Sequence, residues 1–168
     1  MLKIAALSRE HDRAAFDCGV AELNAYLKAT ARQHGEKGLS RTFVLTESEK
    51  PTVIFGFFTL ALCEITAEDL PPSYAAMYPR HKLPAVRLAR LAISLRHQGK
   101  GYGTVLVAEA VHRTVLIADQ AGSIGLFVDA KNDRASDFYK HYGFVPLPGQ
   151  SKTLFLPLKT LRTALKAR

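Results

Sequence analysis

Three alternating glycines form the part of this 168-residue chain whose residue types and spacing most clearly predict chemistry. Gly99, Gly101 and Gly103 lie in the stretch LRHQGKGYGT, with the cations Arg96 and Lys100 beside them. Glycines let a backbone approach a ligand closely, and the amide groups at the start of a helix favour a bound anion. The cluster therefore predicts a site for a phosphate or pyrophosphate. A glycine-rich turn that binds nothing is the alternative.

Two well-known phosphate-binding patterns are absent from the sequence. The cluster is not followed by the Gly-Lys-Thr/Ser of a P-loop, and the later GQSKT stretch also fails that pattern. No G-x-G-x-x-G with a downstream acid follows the first predicted strand, which excludes the dinucleotide-binding fingerprint.

Tyr139, in the stretch DFYKHYGF, is the candidate for proton transfer. A phenol with its ordinary pKa of about 10 can donate a proton to a leaving group. Phe138, Tyr139 and Tyr142 also share helical spacing, so a packing role is the alternative. Glu64 is the nearest carboxylate for a general base by pattern, although a strand-end charge is its commoner role.

The other titratable residues carry no recognisable site. The six histidines show no zinc-ligand spacing, so no metal is expected. No G-x-S-x-G nucleophile motif is present. Cys18 and Cys63 cannot form a disulfide framework and fit a reducing interior.

The charge pattern predicts an anionic partner. The chain has 23 Lys and Arg against 15 Asp and Glu, a formal net charge of +8, and no acid occurs between residues 70 and 108. A polyanion would be contacted by cations in this run and near the C-terminus; the candidates are Arg80, Lys82, Arg87 and Arg90, with Lys159, Arg162 and Lys166 behind them. A solvated basic face is the alternative, and Arg90 or Arg96 could instead serve phosphates at the glycine cluster.

The elements that position these residues alternate along the chain. Strands are predicted at residues 2–7, 41–46, 51–65, 87–94, 124–130 and 153–158. Helices are predicted at residues 21–34, 104–122 and 132–143, whereas four prolines make residues 67–84 a loop or broken helix. This order predicts a single α+β or α/β domain, residues 1–168, with a mixed sheet.

Two of these segments together resemble a known superfamily. Gln98-x-x-Gly101-x-Gly103, after a strand ending in LAIS, resembles the acetyl-CoA-binding signature of GNAT-superfamily N-acetyltransferases, and DFYKHYGF resembles their F-Y-x-x-x-G-F segment. The stretches HDRAAFDCGVAELNAYLKATARQH, GLSRTFVL and KTLFLPL are similar to parts of the TacT-type toxins of bacterial toxin–antitoxin pairs. The resemblance covers nearly the whole chain.

The resemblance implies the GNAT fold, an α/β/α arrangement in which two parallel strands splay around the pantetheine arm of acetyl-CoA. It implies that Tyr139 protonates the leaving thiolate. The acetyl-CoA site that it implies comprises Leu91, Ala92, Ile93, Arg96, Gln98, Gly99, Lys100, Gly101, Tyr102, Gly103, Thr104, Asn132 and Phe138.

The TacT-type resemblance also implies a substrate and partners. These toxins acetylate the α-amino group of aminoacyl-tRNA and so block translation; Arg80, Lys82, Arg87 and Arg90 would then contact tRNA. The family partner is a small antitoxin with a ribbon-helix-helix part, and homodimers are usual. We expect a cytoplasmic location, because the sequence has neither a signal-peptide pattern nor a membrane span.

Two other functions remain open at this point. A GNAT enzyme acting on a small amine, an antibiotic or a protein lysine would keep the acetyl-CoA site, but its cationic acceptors favour an acidic cleft. A non-catalytic basic RNA-binding module would leave the glycine cluster unexplained.

Overall fold

In a computed structural model, which describes residues 1–166, the strands form one mixed seven-stranded sheet. The strand order is β1-β2-β3-β4-β5-β7-β6. The strands are β1 (Leu2–Ala6), β2 (Arg41–Glu47), β3 (Gly56–Thr66), β4 (Lys82–Ile93), β5 (Gly125–Asp129), β6 (Val145–Leu147) and β7 (Gln150–Pro157).

Helices flank this sheet. They are α1 (Ala21–Ala25), α2 (Ala31–Glu36), α3 (Pro72–Ala75), α4 (Tyr102–Gln120), α5 (Asp133–His141) and α6 (Leu158–Lys166). A π-helical turn, Tyr26–Thr30, connects α1 to α2, and 3-10 turns occupy Ala67–Asp69 and Leu95–His97. The predicted first helix is thus present but contains one wider turn.

The strand directions confirm the predicted mixed sheet. β1–β2, β2–β3, β5–β7 and β6–β7 are antiparallel pairs, whereas β4–β5 is parallel. The parallel register runs from Val86 opposite Leu126 to Leu88 opposite Val128. β4 then continues for five more residues to Ile93.

The structure corrects several predicted boundaries. β3 begins at Gly56, not at residue 51. β4 begins at Lys82, inside the stretch predicted to be a loop, because Pro84 lies near the start of the strand, where a missing N–H is tolerated. The carbonyl of Pro84 still accepts a hydrogen bond from the amide of Ile124 at 2.9 Å.

Two elements at the C-terminal end were not predicted. β6 has only three residues, which is too short to show an alternating pattern. The sequence predicts a last strand that ends at residue 158, whereas in the structure β7 ends at Pro157 and α6 begins at Leu158. Since a proline favours neither a central strand nor a helix interior, it marks this change of element.

The chain divides into two compact units, each with its own core. The first comprises Met1–Ala61 and Ala89–Ala110, and the second comprises Leu62–Leu88 and the residues from Val111 onward. The core of the first unit includes Phe16, Tyr26, Leu27, Val44 and Phe57. The core of the second is built on a stacked pair, Phe127 and Phe155, with ring centroids 4.6 Å apart. A single domain over residues 1–168 stays a prediction.

Candidate active site

The glycine cluster lies in the first unit: Gly99 and Gly101 are in the turn that leads into the 19-residue helix α4, and Gly103 is in the first turn of that helix. Gly99 and Gly101 have φ values of 76° and 81°, a left-handed conformation that favours glycine. A Cβ built on either residue would have no heavy atom within 4 Å. The backbone therefore presents an open turn that leads into the amide groups of a helix start, which suits an anion.

Gln98 fixes this turn to the rest of the first unit. Its side-chain Nε2 donates hydrogen bonds to the carbonyls of Cys18, at 3.2 Å, and Ile93, at 3.0 Å. The amide of Leu95 donates to the carbonyl of Asp17 at 2.8 Å. The side-chain nitrogen of Gln98 therefore positions the turn. The resemblance had assigned Gln98 to the acetyl-CoA site without distinguishing this role from direct contact with the ligand.

A stack of rings supports the start of α4. Phe55 lies 3.8 Å from His97 and 5.9 Å from Tyr102, measured between ring centroids. The Nδ1 atom of His97 is 2.5 Å from the Ser94 hydroxyl. Burial is the main cause that lowers the pKa of His97, and the positive charge of Lys100 lowers it further. His97 and Phe55 were missed by the sequence analysis, because their stacking depends on the fold.

The other cofactor candidates of the first unit lie on both sides of this turn. Leu91, Ala92 and Ile93 are the last three residues of β4, and Ala92 is buried. Arg96, Lys100 and Thr104 are exposed, and Gly103 is the second residue of α4.

The end of β4 is approached closely by Gly56, the first residue of β3. A Cβ at Gly56 would lie 2.9 Å from the carbonyl oxygen of Ala92 and 2.6 Å from a methyl of Ile93. Any larger residue at position 56 would therefore displace the strand end that the resemblance assigns to acetyl-CoA.

Tyr139 lies on α5 in the second unit and is buried, with 7% of its surface exposed. Its ring packs edge-on against Phe138, at 5.1 Å, and Phe144, at 5.4 Å. Burial raises the pKa of the Tyr139 phenol well above its ordinary value. The expectation of an ordinary pKa is therefore wrong, because the fold removes this phenol from water.

Asn132 has a structural role at the start of α5. Its Oδ1 accepts a hydrogen bond from the amide of Ala135 at 2.9 Å, which is an N-cap. The sequence predicted Asn132 or Asp133 as the cap of this helix, and the structure shows that Asn132 is the cap. Phe138, the other cofactor candidate of this unit, is half-buried on the same helix.

Three of the four predicted tRNA-contacting cations already have partners within their own units. Arg87 forms an ion pair with Asp129, and Lys82 lies 3.5 Å from Glu64. The guanidinium of Arg90 lies 3.7 Å from the ring centroid of Tyr26. Arg80 is exposed and has no ion-pair partner among residues 1–166.

No group of three or more His, Cys, Asp or Glu side chains in residues 1–166 is arranged to hold a metal ion. No helix in this part of the chain has the length and apolar character needed to cross a membrane.

Comparison with known proteins identifies relatives over most of the chain. Residues 38–146 match the family described as "Acetyltransferase (GNAT) domain". The chain is 34% identical over 163 residues to "Probable toxin TacT" of Sinorhizobium fredii (strain NBRC 101917 / NGR234), covering 92% of this chain and 90% of that protein. It is 31% identical over 159 residues to the "tRNA-acetylating toxin" of Mycobacterium tuberculosis (strain ATCC 25618 / H37Rv), covering 95% and 93%.

Solved structures of the toxin AtaT are also similar. AtaT complexed with acetyl-methionyl-tRNAfMet has a TM-score of 0.91 and 32% identity, and the match covers 98% of this chain and 99% of that one. An AtaT mutant bound to the C-terminus of the antitoxin AtaR and to acetyl-CoA has a TM-score of 0.82 and 32% identity, with 99% of each chain covered.

Proposed function

The chain belongs to the GNAT acetyltransferase family, and we propose that it is a toxin that transfers an acetyl group from acetyl-CoA to the α-amino group of aminoacyl-tRNA, which blocks translation. The observation that carries this proposal is the similarity, over 95% of the chain, to a tRNA-acetylating toxin. The complex of AtaT with acetyl-methionyl-tRNAfMet supports the same class of substrate.

The glycine turn is the part of the chain that suits the pyrophosphate of acetyl-CoA. Gly99 and Gly101 leave the turn open, and the exposed Arg96 and Lys100 provide positive charge beside it. The end of β4, Leu91–Ile93, is the proposed partner of the pantetheine arm. Since the Ile93 carbonyl accepts a hydrogen bond from Gln98, we assign the arm chiefly to the backbone of Leu91 and Ala92.

Acetyl-CoA supplies the acetyl group as a thioester: the acceptor nitrogen forms a C–N bond, the C–S bond breaks, the nitrogen loses a proton and the thiolate gains one. Tyr139 is the proposed proton donor to the thiolate sulfur. A thiol has a pKa of about 8.5, so full transfer from a phenol with a raised pKa is uphill. Tyr139 therefore stabilises the thiolate by a hydrogen bond, and any proton that it gives to the sulfur is replaced by the proton that water takes from the acceptor nitrogen.

The acceptor needs little help from a general base. An α-amino group has a pKa of about 7.7–8.0, so much of it is neutral near pH 7.5. Glu64, the carboxylate that the sequence pattern suggested, is exposed and lies 3.5 Å from Lys82. We therefore assign removal of the amine proton to water.

The proposed partners follow from the same relatives. Arg80, Lys82, Arg87 and Arg90 are the proposed contacts to tRNA. Lys82 and Arg87 form ion pairs and Arg90 lies against the Tyr26 ring, whereas Arg80 has no such contact among residues 1–166. The AtaT–AtaR structure supports a cognate antitoxin. For that antitoxin we propose a ribbon-helix-helix part, and for the toxin a homodimer that acts in the cytoplasm, where charged tRNA is used.

The test is acetyl transfer to a pool of charged tRNA. Purified protein is mixed with acetyl-CoA and tRNA charged with labelled amino acids, and N-acetyl-aminoacyl products are identified by mass spectrometry. We expect product with the wild type and at least a hundredfold less with Tyr139→Phe. Acetyl transfer to small amines or protein lysines, with none to charged tRNA, would contradict the assigned acceptor.

A further inference from the structure

A surface pocket of the first unit lies outside the residues assigned to acetyl-CoA. It has a volume of about 370 Å³ and lies between the residues that follow β1, helix α2 and the start of β2. This volume is in the range of small-ligand sites. Three arginines, Arg9, Arg32 and Arg41, and one acid, Glu36, line it.

The charges of this pocket are not balanced. Arg32 and Glu36 form an ion pair at 3.2 Å, one helical turn apart on α2. Arg9 and Arg41 are exposed and have no ion-pair partner among residues 1–166. Two guanidinium groups thus remain beside one concavity. Each presents a planar fork of donors, which matches the two free oxygens of a phosphodiester.

The strand register places this pocket away from the glycine turn. On β2, Leu45 pairs with Gly56, and Gly56 packs against Ala92 and Ile93, which lead into that turn. Arg41 lies four residues from Leu45, at the other end of β2, about 14 Å along the strand. A polyanion held at Arg41 would therefore leave the glycine turn free for acetyl-CoA.

We propose that Arg9 and Arg41 bind a backbone phosphate of the RNA acceptor in this pocket. The inference rests on the proposed function, because that function supplies an RNA substrate. It adds a phosphate contact in the first quarter of the chain, in addition to the cations predicted between residues 80 and 90 and near the C-terminus. An acidic peptide segment would meet the same guanidinium groups and is treated as an outcome of the test.

The test compares charge-removing variants of the full chain. Arg9→Gln, Arg41→Gln and the double variant are matched with Lys3→Gln, which removes one exposed positive charge from β1 outside the pocket. The affinity for uncharged tRNA is measured over a series of salt concentrations. Each lost phosphate contact makes the slope of log K against log salt shallower by about 0.7–0.9. We expect this change for the pocket variants, and the wild-type slope for Lys3→Gln.

Two controls separate this inference from other effects. The affinity for acetyl-CoA, measured by calorimetry, and the midpoint of thermal unfolding should match the wild type in all variants. Pocket variants whose tRNA affinity depends on salt as steeply as that of the wild type would overturn the inference. The same conclusion holds if these variants lose affinity only for an acidic peptide.

The inference and the proposed function can fail separately. If the wild type acetylates charged tRNA but the pocket variants bind tRNA as Lys3→Gln does, the inference is wrong and the function stands. If the pocket arginines set the salt slope but no charged tRNA is acetylated, the phosphate site stands and the proposed function is wrong.

Discussion

Tyr139 illustrates how burial alone changes what a side chain can do. The phenol is packed between Phe138 and Phe144, and its raised pKa keeps it protonated throughout the physiological range. A proton that cannot leave easily is still a good hydrogen-bond donor. The Tyr139 hydroxyl can therefore stabilise negative charge on a leaving atom through a hydrogen bond while it keeps its own proton.

Replacement of Tyr139 by Phe should separate this role from packing. The ring remains, so we expect an unchanged unfolding temperature and unchanged acetyl-CoA affinity, with kcat lower by about 10²-fold. Tyr142→Phe, which removes a second phenol hydroxyl three residues away, is the control and should retain activity. Equal losses in the two variants would argue against a specific role for Tyr139.

Asn132 provides a second test at this scale. Asn132→Ala removes the N-cap of α5 and should lower the free energy of unfolding by about 1 kcal/mol, whereas Asn132→Asp keeps an acceptor oxygen and the cap. Urea unfolding measures this difference. Weaker acetyl-CoA binding by a fully stable Asn132→Ser variant, which keeps a capping oxygen without adding a negative charge, would instead indicate that the Asn132 amide contacts acetyl-CoA.

At the scale of elements, the glycine turn is held before any ligand arrives. Gln98 connects it to Cys18 and to the end of β4, while Phe55 packs under His97 and Tyr102. A turn fixed in this way loses little conformational entropy on binding. Its shape depends on glycines in left-handed conformations.

Gly101→Ala should therefore weaken acetyl-CoA binding. A left-handed alanine costs about 1–2 kcal/mol, and the turn can relieve this strain only by changing shape. Gly38→Ala is a matched control, since Gly38 has φ of 74° and also has no heavy atom within 4 Å of a built Cβ. Both variants should unfold more easily, but only Gly101→Ala should raise the KM for acetyl-CoA.

On the scale of the whole molecule, the positively charged residues differ in whether an acid pairs with them. Of the 23 Lys and Arg residues, Arg32, Lys82, Arg87 and Arg162 form ion pairs with acids. Exposed ion pairs contribute little to stability, so their main effect is to reduce the charge offered to a partner. The cations left over, such as Arg80, Arg9 and Arg41, offer an RNA their full charge, whereas the paired Lys82 and Arg87 offer it less.

The stability of the fold should fall on mild acidification. Burial lowers the pKa values of His11 and His97 below 6.5, so the unfolded chain binds more protons than the folded chain near that pH. Stability is therefore full above about pH 6.5 and decreases as the pH falls toward the lowered values. The difference in the free energy of unfolding between pH 7.5 and pH 5.5, measured with urea, should be smaller for His97→Gln than for the wild type. For the exposed His141→Gln it should equal the wild-type difference.

The parts predicted from the sequence are those whose signal is local. The glycine turn, the helix that carries Tyr139 and the N-cap at Asn132 each depend on neighbouring residues. The pKa of Tyr139, the double hydrogen bond of Gln98 and the stacking of Arg90 on Tyr26 depend on residues far apart in the chain. The three-residue strand β6 carried too little pattern to be recognised. The helix after Pro157 does have leucines at helical spacing, at positions 158, 161 and 165, but this stretch was considered only for its cations.

Because of the π-helical turn at Tyr26–Thr30, the number of residues in the segment from α1 to α2 determines which side chains face the core. A π turn amounts to one extra residue within an α-helix, and each residue of an α-helix advances it by about 100°. Deleting one residue here would restore a regular helix but rotate Tyr26 relative to Ala31, although both are buried. The inserted residue thus works as a spacer that lets the tyrosine lie beneath Arg90 while the following turn keeps its place in the core.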